Sequence, residues 1–197
     1  MARTKEFDEA EVLARARDLF WEKGYTATSI GDLEEYLGIS RSSIYRFFGG
    51  KRELYDKTLT SYRDENHRLL KQYLAGSKDL RATLHELFAN AAKQSHPACV
   101  SSARGCYVVN ATTEMANTCA EALNFVADNR RKFIAIMEDA LARAQVQGQL
   151  DAQADTEELA NFLFVCYNGL QVVVQTKIDR SDLVKALERG LAALPWR

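Results

Sequence analysis

Side chains that can contact a nucleic acid are concentrated between residues 41 and 51. Arginine, serine and tyrosine on an exposed helix face can hydrogen-bond to phosphates and to base edges. Lys51 opens a further predicted helix, where the free amides of the first turn and a lysine favour an anion. The set comprises Arg41, Ser42, Ser43, Tyr45, Arg46 and Lys51. This segment is therefore predicted to contact nucleic acid.

A short helix with clear start and stop signals precedes this set. Ser29 and Asp32 have the spacing of a capping box, in which each side chain satisfies an amide of the first turn. Apolar residues then recur on one helical face at Ile30, Leu33 and Leu37. Gly38 follows and permits the positive φ of a sharp turn. The helix is expected to end at this glycine.

A second short helix is predicted to begin after the turn and to carry the polar set. Ser40 is a good N-cap, and Gly49 with Gly50 ends the helix. Ile44 and Phe47 share a face and are expected to pack inward. Two short helices joined by a tight turn form a helix-turn-helix, which places its second helix in the major groove of DNA. The alternative is a plain helical hairpin with a solvated polar face.

The first quarter of the chain resembles the TetR family of one-component bacterial regulators. The matching residues are Ala14 through Phe20, Lys23-Gly24-Tyr25, Thr28-Ser29-Ile30, Leu37-Gly38-Ile39-Ser40, Ser43-Ile44-Tyr45-Arg46-Phe47-Phe48 and Lys51-Arg52-Glu53-Leu54. The resemblance implies a homodimeric repressor that is released from a near-palindromic DNA operator by a small-molecule or chemical signal. The C-terminal part agrees with the family in length and helical character.

The charge of residues 40 to 57 supports DNA binding, whereas the net charge of the whole chain does not. The 197-residue chain has a formal net charge of −1, which by itself does not indicate a nucleic-acid partner. Residues 40 to 57, however, contain five basic and two acidic side chains. Arg3 and Lys5 add a basic N-terminal arm that can follow the backbone or enter a minor groove. Thr28 is expected to give a supporting contact.

The pattern of apolar residues predicts an all-α protein of about nine helices in two domains. Residues 1–52 form the helix-turn-helix domain, and residues 53–197 form a helical domain for signal sensing and dimerisation. No apolar run reaches membrane-spanning length and no signal peptide is evident, so we expect a cytoplasmic protein without a membrane partner. Four cysteines without metal-type pairing are expected to be reduced thiols.

The last two predicted helices carry more apolar residues than one domain face needs. In the family that the chain resembles, this helix pair forms a four-helix bundle with its copy in a second subunit, and surplus apolar surface supports that interpretation. The predicted dimerisation residues are Phe162, Cys166, Leu170, Val173, Leu187 and Leu191. The alternative is that these residues simply fill the core of their own chain.

Cys106 is the leading candidate for signal input. It is predicted to lie at the start of a short helix, where the helix N-terminus and the adjacent Arg104 favour thiolate. Some members of the resembled family sense electrophiles or oxidants through a cysteine in a similar Gly-Cys context, and Tyr107 and Asn110 are assigned to the same site. The alternative for Cys106 is a buried cysteine that acts as a small apolar residue.

The residue types leave three further alternatives. Reversible binding of an apolar molecule is the rival input, with aromatic residues such as Phe88, Phe125 and Tyr167 lining a cavity. A metal site built from His67, His85, His96 and the cysteines has little support, and no cofactor is expected. The remaining class is a helical small-molecule-binding protein or enzyme without specific DNA binding. No glycine-rich phosphate loop or nucleophile elbow supports an enzyme.

Overall fold

The computed structural model describes residues 7–93, 104–116 and 120–197. Within these ranges the chain forms nine α-helices and no β-strand, although Leu150 and Trp196 make an isolated bridge. The helices are α1 (Glu9–Lys23), α2 (Ile30–Leu37), α3 (Arg41–Phe48), α4 (Lys51–Ala75), α5 (Leu80–Lys93), α6 (Tyr107–Met115), α7 (Ala120–Val146), α8 (Thr156–Val173) and α9 (Arg180–Ala192). The all-α prediction is confirmed for these ranges.

The chain divides into two compact units, Met1–Arg63 and Asp64–Arg197. The boundary falls inside α4, whereas the sequence placed a boundary after residue 52, close to the start of that helix.

Aspartate side chains cap the starts of α1, α8 and α9. Oδ1 of Asp8 accepts from the Ala10 amide at 2.8 Å, and Oδ1 of Asp155 accepts from the Glu157 and Glu158 amides at 3.0 Å. Asp179 accepts from the amide of Ser181 at 2.7 Å. Each bond satisfies an amide that has no partner within its own helix. Thr118 and Glu121 also have the spacing of a capping box, but Thr118 lies outside the described residues.

Aromatic side chains form much of the core of the N-terminal unit. The ring of Tyr55, on α4, contacts Phe20 edge-on with centroids 5.0 Å apart and lies 4.8 Å from the ring of Tyr25. Leu33 of α2 and Ile44 of α3 are fully buried. Packing these side chains together fixes the helix-turn-helix on the first and fourth helices.

The C-terminal unit is organised around α8, which packs against α5, α6 and α7. Phe88, Phe133 and Tyr167 meet in its core, with Tyr167 5.9 Å from Phe88 and 5.5 Å from Phe133 between ring centroids. Met137 and Leu163 are fully buried in the same cluster. The long apolar faces of α7 and α8 therefore serve mainly the core of their own chain.

The C-terminal residues hold the loop between α7 and α8 against the end of α9. The amide of Asp151 donates to the Pro195 carbonyl at 2.9 Å, and the amide of Arg197 donates to the Gln149 carbonyl at 3.0 Å. Nε1 of Trp196 donates to the Leu191 carbonyl at 2.8 Å. These bonds fix the connection on which the direction of α8 depends.

Candidate nucleic-acid interface

The helix-turn-helix is built by the caps that the sequence predicted. Oγ of Ser29 accepts from the Asp32 amide at 3.0 Å, while Oδ2 of Asp32 accepts from the Ser29 amide at 2.8 Å. Gly38 ends α2 with φ +70°, and Ser40 caps α3 by accepting from the Ser43 amide at 3.2 Å. The capping box, the turn glycine and the second cap are thus all present in one continuous unit.

The third helix separates an inward apolar face from an outward polar face. Ile44 and Phe48 are buried, whereas Arg41, Ser42, Tyr45 and Arg46 are exposed. The expectation that Phe47 is the inward partner of Ile44 was wrong, because Phe48 occupies that place and Phe47 is half-buried.

Two of the exposed side chains lie against neighbouring groups that restrict their motion. The ring of Tyr45, 52% exposed, packs on Gly50, where an added Cβ would lie 3.3 Å from Cε1 of Tyr45. The Arg46 guanidinium carbon lies 5.3 Å from the centroid of the Phe47 ring. A partly ordered side chain loses less entropy when it binds, so this packing favours contact with a rigid partner.

Lys51 and Ser43 flank the exposed face of α3. Nζ of Lys51 lies 4.3 Å from the centroid of the Tyr25 ring, in a cation–π contact at the start of α4. Ser43 is half-buried, and its hydroxyl lies 3.0 Å from that of Ser40. The lysine ammonium is therefore held near the first turn of α4, where a phosphate is favoured.

Three of the predicted contact residues are not placed on this face. Thr28 is completely buried and its hydroxyl donates to the Gly24 carbonyl at 2.6 Å, so its side chain is not available as a supporting contact. The prediction overlooked that a threonine four residues after a helix end can bond back to that end. Arg3 and Lys5 lie outside the described residues.

Two residues that the sequence reading missed shape the site. A carboxylate oxygen of Glu34, on α2, accepts a short hydrogen bond from the amide of Arg41. The Glu34 carboxylate therefore satisfies one of the amides at the start of α3 that have no partner within the helix. Arg15, on α1, donates to the carbonyls of Tyr36 and Leu37 at the end of α2. Both residues were visible only as charges on predicted helices, because spacing alone does not reveal contacts between helices.

A surface cleft lies behind the turn, on the side of α1. Its volume is about 480 Å³, and it is lined by residues of α1 and of the turn, including Glu11, Arg15, Gly38 and Ser40. Arg15 forms one wall while it caps α2. The cleft therefore adjoins the turn and the start of α3.

Electrostatic interactions stabilise the start of α2. Nζ of Lys23 lies 2.7 Å from Oδ1 of Asp32. Hydrogen bonds from Lys23 and Ser29 hold the pKa of the Asp32 carboxyl well below its usual range. The hydrogen bond to Asp32 raises the pKa of Lys23 in turn. The ion pair ties the end of α1 to the first turn of α2, which supports the orientation of the helix-turn-helix.

The predicted sensing residues lie at the start of α6. Cys106 is the N-cap residue and is half-buried, and Tyr107 is 1% exposed. Nδ2 of Asn110 donates to the Arg104 carbonyl at 2.8 Å, and Oδ1 of Asn110 accepts from Nε2 of Gln175 at 3.0 Å. Cys106 and Asn110 are thus close in one turn of chain, while Tyr107 belongs to the core.

The predicted dimerisation residues divide between the surface and the core. Phe162 is 39% exposed and lies on a face of α8 that also presents Val165 and Val172. Leu170 and Leu191 are each 2% exposed and belong to the core of their own unit, so the prediction that they offer a dimer surface was wrong. The remaining three, Cys166, Val173 and Leu187, are half-buried against that core. Burial raises the pKa of the Cys166 thiol.

Residues 7–93, 104–116 and 120–197 contain no group of three or more histidine, cysteine or acidic residues arranged to hold a metal ion. None of their helices combines the length and the apolar character needed to cross a membrane. His96, Cys99 and Cys119 lie outside these ranges.

Comparison with known proteins identifies the family. Residues 12–58 match the model described as bacterial regulatory proteins of the tetR family. Residues 76–189 match the model of the tetracyclin repressor-like C-terminal domain. The uncharacterised regulator YezE of Bacillus subtilis is 28% identical over 98% of this chain and 100% of its own length. The repressor ComR of Escherichia coli is 27% identical over 98% and 91%.

Solved structures agree with the sequence relatives. A triple cysteine variant of the TetR family regulator CifR, bound to a 26-base-pair operator, superposes with a TM-score of 0.83 at 28% identity, covering 98% of this chain and 100% of CifR. A double cysteine variant of CifR with operator DNA gives 0.81 at 30% identity, with the same coverage. The relatives are DNA-binding regulators and not enzymes. The chain belongs to the TetR family of bacterial transcriptional regulators.

Proposed function

We propose that this regulator is a homodimeric repressor that binds a near-palindromic operator and is released by a signal acting on its C-terminal unit. The exposed polar and basic face of α3 carries the DNA-binding part of the proposal, because α3 is the second helix of a capped helix-turn-helix. CifR, a relative at 28–30% identity, binds operator DNA in two structures. Two copies of α3 related by a two-fold axis match half-sites one helical turn, or a multiple, apart.

The contacts on DNA divide by position. Arg41, Ser42, Tyr45 and Arg46 are proposed to reach base edges and phosphates from α3. Ser43 and Lys51 are proposed to contact phosphate at the rim of this face, where Lys51 opens α4. Arg3 and Lys5 are proposed to supply further backbone or minor-groove contacts. Thr28 is left out of this set because it is buried.

Selection of bound sequences from random DNA tests the proposal. The expected product is a near-palindromic consensus, and its affinity should fall with salt at a slope of about −0.9 per neutralised phosphate. A scrambled duplex of equal length is the control. Failure to enrich any sequence, or equal affinity for the scrambled duplex, would contradict specific DNA binding.

The dimer surface is proposed to include the exposed face of α8. Val165 is 68% exposed and Val172 is 46% exposed on α8, which packs against α5, α6 and α7. Apolar side chains grouped on one face of a soluble protein favour a protein partner. Phe162 lies on the same face of α8. The half-buried residues Cys166, Val173 and Leu187 are proposed to border the dimer surface. A second copy of the chain fits because operator recognition needs a two-fold arrangement.

The signal is proposed to act at the first turn of α6, through Cys106. The thiol is half-buried at a helix N-terminus, a position that favours thiolate. An electrophile such as N-ethylmaleimide adds across its carbon–carbon double bond, forming a sulfur–carbon bond while the neighbouring carbon gains the proton. Tyr107 and Asn110 would be displaced with the turn, which changes the conformation that favours the operator.

Substitution of the cysteine tests this input directly. N-ethylmaleimide should release the wild-type protein from the selected operator and should leave the Cys106→Ser variant bound. Hydrolysed N-ethylmaleimide, whose ring is opened so that its double bond is no longer activated and forms no thiol adduct, is the control and should leave the wild-type protein bound. Full release of Cys106→Ser with a mass increase at other cysteines would contradict the proposal.

Reversible ligand binding is the second candidate input, and one observation favours it. Gln171 is completely buried, and neither its side-chain oxygen nor its side-chain nitrogen has a hydrogen-bond partner among the described residues. A small molecule with adjacent donor and acceptor groups would satisfy this amide. Gln171→Leu should then keep operator binding and lose release by small-molecule extracts of the host cell. Unchanged release would exclude this role of Gln171.

A further inference from the structure

The segment before α6 lies directly against the last turn of α8. Gly105 is buried and has φ +73°. A Cβ added to it would lie 2.5 Å from Nε2 of Gln175 and 2.6 Å from the Gln171 carbonyl oxygen. Both distances are shorter than real Cβ contacts allow, so no side chain larger than hydrogen fits without movement. The backbone at Gly105 is therefore seated on α8 without intervening space.

Hydrogen bonds join the same two elements. Nε2 of Gln175 donates to Oδ1 of Asn110 on α6 at 3.0 Å and to the carbonyl of Gln171 on α8 at 3.0 Å. Nδ2 of Asn110 also donates a hydrogen bond to the Arg104 carbonyl at 2.8 Å. We name this group, Gly105, Asn110, Gln171 and Gln175, the α6–α8 latch.

Gln175 also completes the hydrogen bonding at the end of α8. Gln171 is one of the last four residues of the helix, whose carbonyls lack an amide partner within it. The backbone amide of Gln175 donates to the Val172 carbonyl at 3.2 Å, while its side-chain nitrogen Nε2 donates to the Gln171 carbonyl. If Gln175 is displaced, the Gln171 carbonyl at the end of α8 loses this hydrogen bond. The unsatisfied carbonyl favours a change in the backbone conformation of the last turn of α8.

The latch adjoins the exposed apolar face of α8. Val172, 46% exposed, precedes Gln175 by three residues. Val165 and Phe162 continue this face along α8.

We propose that the α6–α8 latch transmits a displacement of residues 104–106 to the exposed face of α8, and that Gln175 is the positioning residue of this coupling. The inference rests on the proposed function, which supplies the signal and the operator. A close-packed contact cannot absorb movement gradually. A signal that shifts Gly105 must either carry Gln175 with it or break the bond to Asn110. Both outcomes change the last turn of α8.

Two glycines offer a matched experiment. Gly105 and Gly148 both have φ +73°, but a Cβ at Gly148 meets no atom within 4 Å. Alanine therefore imposes a similar backbone strain at both positions and collides with α8 only at residue 105. Without any inducer, Gly105→Ala should bind the selected operator at least about ten-fold more weakly than Gly148→Ala. Equal affinity of the two folded variants would overturn the inference.

The response to a modifying reagent separates coupling from simple loss of structure. N-ethylmaleimide should weaken operator binding by wild-type protein and by Gly148→Ala. It should change the affinity of Gly105→Ala less than about two-fold, because the latch is already displaced. Circular dichroism at the assay temperature establishes that each variant is folded.

If Gly105→Ala does not fold, a second pair of variants tests whether the α6–α8 latch affects operator binding. Gln175 and Thr176 are both exposed, and the Thr176 hydroxyl bonds to the Val173 carbonyl of its own turn. Gln175→Glu removes the donor and places a carboxylate against the Gln171 carbonyl, whereas Thr176→Glu adds the same charge without touching the latch. Gln175→Glu should bind operator at least about five-fold more weakly than Thr176→Glu. Equal binding would overturn the inference.

Failure of the repressor proposal can be distinguished from failure of the α6–α8 latch. If wild-type protein binds no selected operator, the repressor proposal fails. Hydrogen exchange then tests the latch itself. Amides of residues 172–175 should exchange at least about ten-fold faster in Gly105→Ala, or in Gln175→Glu if the former does not fold, than in the matched control. Equal exchange would overturn the inference.

Discussion

At the scale of single residues, DNA recognition depends on side chains that protrude from a helix without supporting it. Tyr45 and Arg46 are exposed, whereas Ile44, on the inward face of the same helix, is fully buried. Contact with DNA and stability of the fold are therefore carried by different side chains of α3. A loss of operator binding can be separated from a loss of structure.

Replacement of Arg46 or Tyr45 by alanine should weaken operator binding. The expected cost for one base-edge contact is about 1–3 kcal/mol, or roughly 5- to 150-fold in Kd. Fluorescence anisotropy with labelled operator gives the Kd, and thermal unfolding should stay nearly unchanged. Arg131→Ala is the matched control, because this arginine side chain is 75% exposed on α7. Wild-type affinity of both α3 variants would exclude these contacts.

Asp32 should make the stability of the protein depend on pH in acid. Its pKa is lowered in the folded state by hydrogen bonds from Lys23 and Ser29. A lowered folded pKa contributes stability that is fully present above the unfolded value of about 3.9 and is lost as pH falls through the folded value. Asp32→Asn should therefore unfold at lower urea concentration than wild type at pH 7.

The difference between wild type and Asp32→Asn should shrink as the pH falls below about 4. Urea titrations at several pH values measure it. Asp18→Asn is the control, because it removes a half-exposed carboxylate of the same unit that is paired with the neighbouring Arg17. A difference that stays constant down to the lowest pH would show that the ionised carboxylate of Asp32 does not stabilise the fold.

At the scale of elements, the sequence predicted what local chemistry determines. Ser29 and Ser40 cap helices because the side-chain oxygen of each accepts from a backbone amide three residues away. Such contacts depend on nearby residues and can be read from spacing. The inward partner of Ile44 could not be read in this way, because residues three and four positions away both lie on its face. Packing against the rest of the unit selected Phe48 over Phe47.

Alanine should have opposite effects at two glycines, Gly38 in the turn between α2 and α3 and Gly31 in the first turn of α2. Gly38 has φ +70° with no atom within 4 Å of an added Cβ, so Gly38→Ala should lose stability through backbone strain of about 1–2 kcal/mol. Gly31 lies inside α2, where a Cβ makes an ordinary 3.6 Å contact with Oγ of Ser29. Gly31→Ala should gain roughly 0.5–1 kcal/mol. Urea unfolding measures both, and a gain at Gly38 would contradict the turn.

At the scale of the whole molecule, helical spacing could not separate the core from the dimer surface. Phe162 and Leu170 were assigned to the same apolar helix face, yet Phe162 is 39% exposed and Leu170 only 2%. Glu157, Asn161 and Asn168 mark only a narrow polar stripe on α8, so most of the helix circumference is apolar and the sequence does not separate core from surface there. The core of the C-terminal unit takes the residues nearest α5 and α7, and the remaining apolar side chains stay outside.

Those remaining side chains lead to a prediction about the assembly. Val165→Asp puts a charge on the exposed face of α8, where the valine is 68% exposed. A monomer should tolerate this charge, whereas a dimer would have to bury it at an interface without a partner. Light scattering should then give the monomer mass for Val165→Asp and twice that mass for wild type. Because one recognition helix contacts only one half-site, operator affinity should fall at least about ten-fold.

Val146→Asp is the matched control for this variant. Val146 is also on a helix and is 91% exposed, at the end of α7 and away from the α8 face. The same charge there should leave both mass and operator affinity as in wild type. If Val165→Asp stays dimeric, the subunits meet elsewhere. The exposed apolar side chains of α8 would then need another partner, because burial of the new charge would have dissociated a dimer built on them.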